Sequence, residues 1–280
     1  MFIKEIPRIF KTILQNKKPF RFIYSRVLFR LHLSRFIPVQ RNGYRIRLYP
    51  TIMTKFCFDK TQYFRQDEED FLMRYLRNGD TYIDVGANIG LFTLKAASIV
   101  GGNGRIYAFE PMPRIFRVLE SNVRFNKFRN VRTYNYGLGD KPSNAYISDH
   151  PVDDSVNSVI NSGTIRIELR TLDSFDFYKD KKVNLLKVDV EGFELFVLKG
   201  AANTLLKTDC VFFESWNTHF EKYGYKCSDV FGVLKSSGFE IYKIFNQEVK
   251  RISENYVSTQ CEDLIAVRDF KNFKSRYILL

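Results

Sequence analysis

Thr81-Tyr82-Ile83-Asp84-Val85-Gly86-Ala87-Asn88-Ile89-Gly90 is the stretch whose reading decides the fold. Asn78-Gly79-Asp80 in front of it is a turn signal. Residues 82–85 form a short β-prone run of the buried-strand type. Gly86 and Gly90 punctuate the turn after it, and the chain then reads as a helix with Leu91, Leu94 and Ser98 on one face. Strand, glycine-bearing turn and helix in this order make a cofactor-type site. The amides of a helix start point at the ligand, and the positive dipole end favours a carboxylate or phosphate.

The glycine spacing narrows the ligand. A dinucleotide fingerprint is G-x-G-x-x-G. Here Asn88 stands where the second glycine would be, and Asp84 lies two residues before the first. A pyrophosphate is repelled by an acid at that place. A ligand carrying both an ammonium and a carboxylate, as the methionine half of S-adenosylmethionine does, suits Asp84 and the helix N-terminus together. The competing reading is a glycine-rich turn with no ligand.

Downstream, Gly101-Gly102-Asn103-Gly104 is a tight turn, and residues 105–109 are a second strand ending in Glu110. An acid at that strand end can accept from both hydroxyls of a ribose. It can equally cap the helix opened by Pro111-Met112-Pro113 and running to about residue 126. Residues 131–136 read as a third strand, followed by Gly137-Leu138-Gly139-Asp140. Asp140 is placed either beside an adenine ring or in a solvent turn. Residues 141–164 are polar and turn-rich, too long for a plain connection, and predict a lid, an acceptor loop or a flexible insert. Residues 165–169 alternate as a strand. Residues 183–190 are a buried-strand run ending at Asp189, Glu191 and Gly192, followed by a helix over about 193–206. Residues 209–214 form a fifth sheet strand, again ending in an acid, Glu214, with Trp216 and His219 just beyond. A helix over 231–236 and strands over 239–245 and 263–267 complete the chain. The alternation predicts an α/β, doubly wound, mostly parallel sheet with an antiparallel pair at its end.

Upstream, residues 67–75 read as a helix with Asp67, Glu68 and Glu69 in its first turn. Residues 44–49 alternate as a strand that residues 55–58 could join as a hairpin. Residues 1–37 show two amphipathic helical patterns separated at Lys17-Lys18-Pro19. Of the net charge of +13, residues 1–50 carry +11, so the basic balance belongs to the N-terminal segment and not to the cofactor domain. Such helices can lie on an anionic membrane surface, bind an acidic partner, or pack on their own domain. Nucleic acid is a weaker alternative. The division expected is a basic helical segment over 1–40 and one catalytic domain over 41–280.

The four cysteines and three histidines are scattered, so no zinc spacing and no disulfide framework is expected. A reducing, cytoplasmic setting with peripheral membrane contact is the simplest expectation. No uncharged apolar run approaches the roughly 18 residues that cross a bilayer. Lys4, Glu5, Arg8 and Lys11 interrupt any signal-peptide core.

Four stretches in order carry a resemblance. They are residues 83–90, Tyr107-Ala108-Phe109-Glu110-Pro111, Arg170-Thr171-Leu172-Asp173-Ser174, and residues 185–194 with Leu198-Lys199-Gly200-Ala201. Over residues 65–215 the chain resembles the FkbM family of S-adenosylmethionine-dependent methyltransferases. The resemblance implies a Rossmann-like class I methyltransferase fold with a seven-stranded sheet and S-adenosyl-L-methionine as the methyl donor. It further implies O-methylation of a hydroxyl on a sugar, glycan, lipid or other secondary metabolite. By position, Asp84, Gly86, Ala87, Asn88, Gly90 and Glu110 are the expected cofactor residues, with Asp140 as a candidate.

Methyl transfer needs an acceptor oxygen held in line and relieved of its proton. Asp189, at a strand C-terminus, is the first candidate for base or acceptor orienter. Lys187, two residues back on the same face, is expected to pair with it. Glu191 holds acceptor hydroxyls or caps the next helix. Glu214 and His219 are rival bases. The alternative for Lys187, Asp189 and Glu191 is a buried charge pair plus a helix cap. Competing functions are an RNA or protein methyltransferase and an NAD-linked oxidoreductase. Against the first stands the Asp-Val-Glu-Gly end of the fourth sheet strand, and against the second the glycine spacing.

Overall fold

The computed structural model describes residues 27–28, 31, 33, 36–49, 66–150, 157–175, 182–245 and 248–277. The N-terminal helical patterns over 1–37 and the hairpin partner at 55–58 lie outside the described residues, apart from a helical Val27 and Leu28 and scattered positions after them. Strands β1 (Val39–Gln40) and β2 (Arg45–Ile46) form a two-residue antiparallel hairpin. The strand expected over 44–49 is therefore shorter than its alternation suggests. Its buried side chains, Tyr44, Ile46 and Leu48, pack on the main domain. Asn122 ties this segment down by accepting from Arg47 N at 2.9 Å and donating to Arg47 O at 3.0 Å.

The helix Gln66–Tyr75 precedes β3 (Thr81–Val85), and the helix Leu91–Val100 comes after it. Next come β4 (Arg105–Phe109), the helix Pro113–Phe125 and β5 (Val131–Tyr134). Four strands then leave the main sheet: β6 (Gly137–Leu138), β7 (Ser143–Ile147), β8 (Val159–Ile160) and β9 (Ile165–Arg170). The chain returns with β10 (Val183–Val188), the short helices Glu194–Lys199 and Ala202–Leu206, and β11 (Thr208–Ser215). The helices Asn217–Glu221 and Cys227–Ser236 lead to β12 (Glu240–Phe245), β13 (Glu248–Arg251), β14 (Glu262–Val267) and the helix Phe270–Arg276.

The main sheet has eight strands in the order β13-β12-β14-β11-β10-β3-β4-β5. From β11 to β5 every pairing is parallel, whereas β14 and β13 run antiparallel to their neighbours. Seven of these strands are the ones expected. The eighth, β13, is a hairpin strand added at the edge, where the polar Glu-Val-Lys-Arg run carries no burial signal. Side chains alternate across the sheet. Tyr82, Ile106, Ala108, Leu185 and Phe212 face one helical layer, and Ile83, Val85, Tyr107, Leu186 and Phe213 face the other.

The expected lid or insert over 141–164 is in part a second sheet, ordered β6-β9-β7-β8. Its alternation is weak in the sequence because one face is exposed along much of β7. Residues 151–156 within it lie outside the described residues. The single helix expected over 193–206 breaks at Gly200-Ala201. A Cβ on Gly200 would stand 2.0 Å from Gly139 O, so the backbones touch there. Asp173 caps the second piece, accepting from Asn203 N at 2.8 Å and Thr204 N at 2.9 Å.

Candidate active site

The chain reverses direction across the sheet between β3 and β10, and such a switch point opens a crevice at the strand C-termini. The crevice is walled by residues 85–89, Leu91, Phe92, Glu110, Leu138, Leu169, Asp189, Glu191 and Phe193, among others. Gly86 sets its floor. Its φ is +82°, and a Cβ there would lie 1.9 Å from Asp189 O. Only glycine lets the ends of β3 and β10 come this close, with Asp189 N donating to Val85 O at 3.1 Å. Asn88 occupies the left-handed region at φ +50°, which asparagine tolerates, and its Oδ1 accepts from Ile89 N at 2.6 Å. The helix Leu91–Val100 then starts with no side-chain cap, and Leu91 and Phe92 of its first turn line the crevice. The amides of a helix's first turn have no intrahelical acceptor, and with the dipole they favour an anionic group there.

Glu110 meets the capping expectation, and its other oxygen supports the glycine turn. Its Oε2 accepts from Asn88 N and its Oε1 from Met112 N, each at 2.9 Å, so it braces the glycine turn and caps the next helix. It also lines the crevice. Beyond it, Pro111, Ile115, Leu138, Ile147, Val159, Leu169 and Phe193 form an apolar wall. All four strands of the second sheet contribute to that wall. Sequence reasoning does not single these residues out, since an apolar residue on a short strand looks the same whether it lines a crevice or fills a core.

Three expected cofactor residues stand elsewhere. Asp84 is fully buried beneath the turn, with Thr93 Oγ1 donating to it at 2.6 Å and Lys187 Nζ 3.8 Å away. Burial raises its carboxyl above the ordinary range, against the pull of Lys187 and Thr93. Gly90, at φ +96°, backs onto Leu119. Asp140 is exposed on the far side of the Gly139–Gly200 contact.

The candidates for chemistry gather at the ends of β10 and β11. Lys187 is 2% exposed and lies 3.0 Å from Asp189 Oδ2, as expected from their shared face. Its Nζ also sits 5.1 Å from the centre of the Phe92 ring. Asp189 and Glu191 line the crevice, but Lys187 and Glu214 stand behind it. Glu191 is held at φ +57°, a strained conformation for a non-glycine residue that costs on the order of 1 kcal/mol. Glu194, for which the sequence suggests no role of its own, is fully buried and organises this loop. Its Oε1 accepts from Val190 N at 2.9 Å and Gly192 N at 3.4 Å. Burial, and after it the charge of Glu214, push its carboxyl up to about 8. An acid in the first turn of a helix was the available signal.

A doubly wound α/β sheet with an anion-favouring helix start, a ribose-type acid and an acidic strand end in one crevice defines a nucleotide-cofactor enzyme scaffold. Residues 84–241, more than half of the chain, match the methyltransferase FkbM domain. The chain belongs to this family, and its class I methyltransferase fold is the one expected, with one strand more. It is 32% identical over 152 residues to a hexuronic acid methyltransferase, AglP, of Haloferax volcanii, covering 53% of this chain and 61% of that protein. It is 28% identical over 142 residues to methyltransferase 1 of Beauveria bassiana, covering 42% and 57%. The matched stretches thus span less than two thirds of either relative. A solved FkbM methyltransferase from Methylobacillus flagellatus KT is 15% identical with a TM-score of 0.44, covering 94% of this chain and 59% of that one. Among the described residues no helix is long and apolar enough to cross a membrane.

Proposed function

We propose that this chain transfers a methyl group from S-adenosyl-L-methionine to a hydroxyl oxygen of a sugar or related glycan acceptor. The observation that carries the reading is the crevice itself. One run of wall joins an uncapped helix start and Glu110 to Asp189. The crevice fits the donor in three places. The first-turn amides of Leu91–Val100 suit its carboxylate, Glu110 its ribose hydroxyls, and the apolar wall around Leu138 and Phe193 its adenine. When bound, the donor supplies an activated sulfonium methyl.

The protein's work is then positional and protonic. Asp189 accepts a hydrogen bond from the acceptor hydroxyl and takes its proton as the oxygen attacks. Lys187, 3.0 Å behind it, fixes the carboxylate. Glu191, on the same wall, holds neighbouring acceptor hydroxyls. A sugar acceptor is supported by the relative named as a hexuronic acid methyltransferase.

The test is calorimetry with S-adenosylmethionine, its demethylated product and NAD, then mass spectrometry of uronic acid and neutral glycan acceptors. Micromolar binding of the first two and a gain of one methyl on a glycan are expected. Binding of NAD in their place would overturn the reading.

A further inference from the structure

We propose that Glu191, Glu214 and His219 form a binding site for a divalent transition-metal ion at the edge of the crevice. The site is independent of the methyl-transfer reading, because it is argued from ligand geometry and burial and not from the donor or the acceptor. One atom from each residue converges: the three lie within 4.8 Å of one another. His219 Nδ1 is 3.6 Å from Glu191 Oε2 and 3.7 Å from Glu214 Oε2. Those separations are too long for hydrogen bonds. They are close to the roughly 3.4–3.6 Å between neighbouring ligands that share one ion at bonds of about 2.1 Å.

The surroundings hold these atoms in place. Glu191 is presented by the left-handed turn that ends at Gly192, at φ +99°. A Cβ on Gly192 would stand 2.8 Å from His219 O, so this glycine lets the histidine backbone press against the Glu191 loop. Trp216 packs on the His219 ring at 4.1 Å between centroids. The Cys261 thiol donates to Glu214 Oε1 at 3.1 Å, leaving Oε2 turned toward His219. Outer partners of this kind orient ligands in metal sites.

The histidine nitrogen itself points to a cation. His219 Nδ1 is buried and has no hydrogen-bond partner, although two carboxylates face it. Two carboxylates held largely out of water against one histidine nitrogen are a costly arrangement unless a positive charge sits among them. One imidazole with two carboxylates suits Mn2+, Fe2+ or Zn2+ better than the all-oxygen ions Mg2+ or Ca2+. The sequence carries no spacing signal, because the ligands come from a turn, a strand end and a short helix.

The experiment uses the full-length protein stripped of metal with a chelator and then dialysed. Mn2+ is titrated alone, and its free electron-paramagnetic signal is monitored. One ion per chain is expected, with an imidazole nitrogen coupling in the pulsed spectrum. His219→Ala should remove that coupling and weaken binding at least tenfold. Glu214→Gln, close to isosteric, should weaken it similarly, and Glu248→Gln on the surface should leave it unchanged. Zn2+ should raise the melting temperature of the parent protein but not of His219→Ala. No binding at millimolar Mn2+ and Zn2+, or a nitrogen coupling that survives His219→Ala, overturns the proposal.

Discussion

Lys187 stands directly across the β3–β10 pairing from Asp84, with its ammonium 3.8 Å from the buried carboxylate. The same ammonium reaches Asp189 at the crevice wall. One cation therefore ties the base of the glycine turn to the candidate catalytic acid. Lys187→Met leaves Asp84 buried and uncompensated, and should cost about 3–5 kcal/mol of stability. The sign with pH comes from the raised Asp84 carboxyl. A raised acid binds its proton more tightly folded than unfolded. Its contribution is therefore most favourable below the unfolded value of about 3.9 and is lost as pH climbs toward the folded one. Without Lys187 that window widens upward, so the melting deficit of Lys187→Met should shrink from pH 8 to pH 5. A deficit constant with pH would remove the ion-pair account.

Asp189→Asn keeps the shape of the strand end and removes the proton acceptor. Turnover should fall at least about 100-fold, the usual scale of general-base contributions. Affinity for the demethylated product should stay within a few fold, read by calorimetry. A tenfold or smaller loss of turnover would move the base to Glu214 or His219.

Gly86→Ala tests the contact between strand ends. Its new methyl would have to displace Asp189 O, 1.9 Å away, at a φ that L-residues rarely adopt. We expect a loss of about 2 kcal/mol or more, with cofactor affinity reduced at least tenfold. Gly232→Ala is the control. It lies exposed in the Cys227–Ser236 helix with open space around it and should stabilise by about 0.5–1 kcal/mol.

The excess charge of residues 1–50 suggests contact with an anionic membrane. The exposed Val27, Leu31 and Phe36 would then be available to the interface. Full-length protein should co-sediment with phosphatidylserine vesicles at low salt and be released as salt rises. Changing Lys4, Arg8, Lys11 and Lys17 together to Gln should abolish this. Equal binding by the two proteins would assign the charge to solvent.

The centre of the main sheet was legible because β3, β4, β10 and β11 are buried on both faces and appear as largely apolar runs between turn signals. The glycine turn and Glu110 were legible for a local reason, since a tight turn and a strand-end acid are set by a few adjacent residues. Of the second sheet only β9 was legible, by its alternation, because β6, β7 and β8 are short or half exposed and leave little periodicity. The hairpin strand β13 escapes sequence reading for the same reason.

What the sequence by itself determined is the order of strand, turn and helix, the family, and the acids at the strand ends. The tertiary structure alone decided which acids share a space. Asp84 is close to the crevice in sequence, yet pairing with Lys187 and Thr93 draws it below the wall. Glu191, Glu214 and His219 are separated by up to 28 positions, yet they meet because β10 and β11 are parallel neighbours whose C-terminal loops emerge at the same edge. Local patterns encode which face a side chain takes. Which loops converge depends on strand order, and strand order is settled by long-range burial that no short stretch contains.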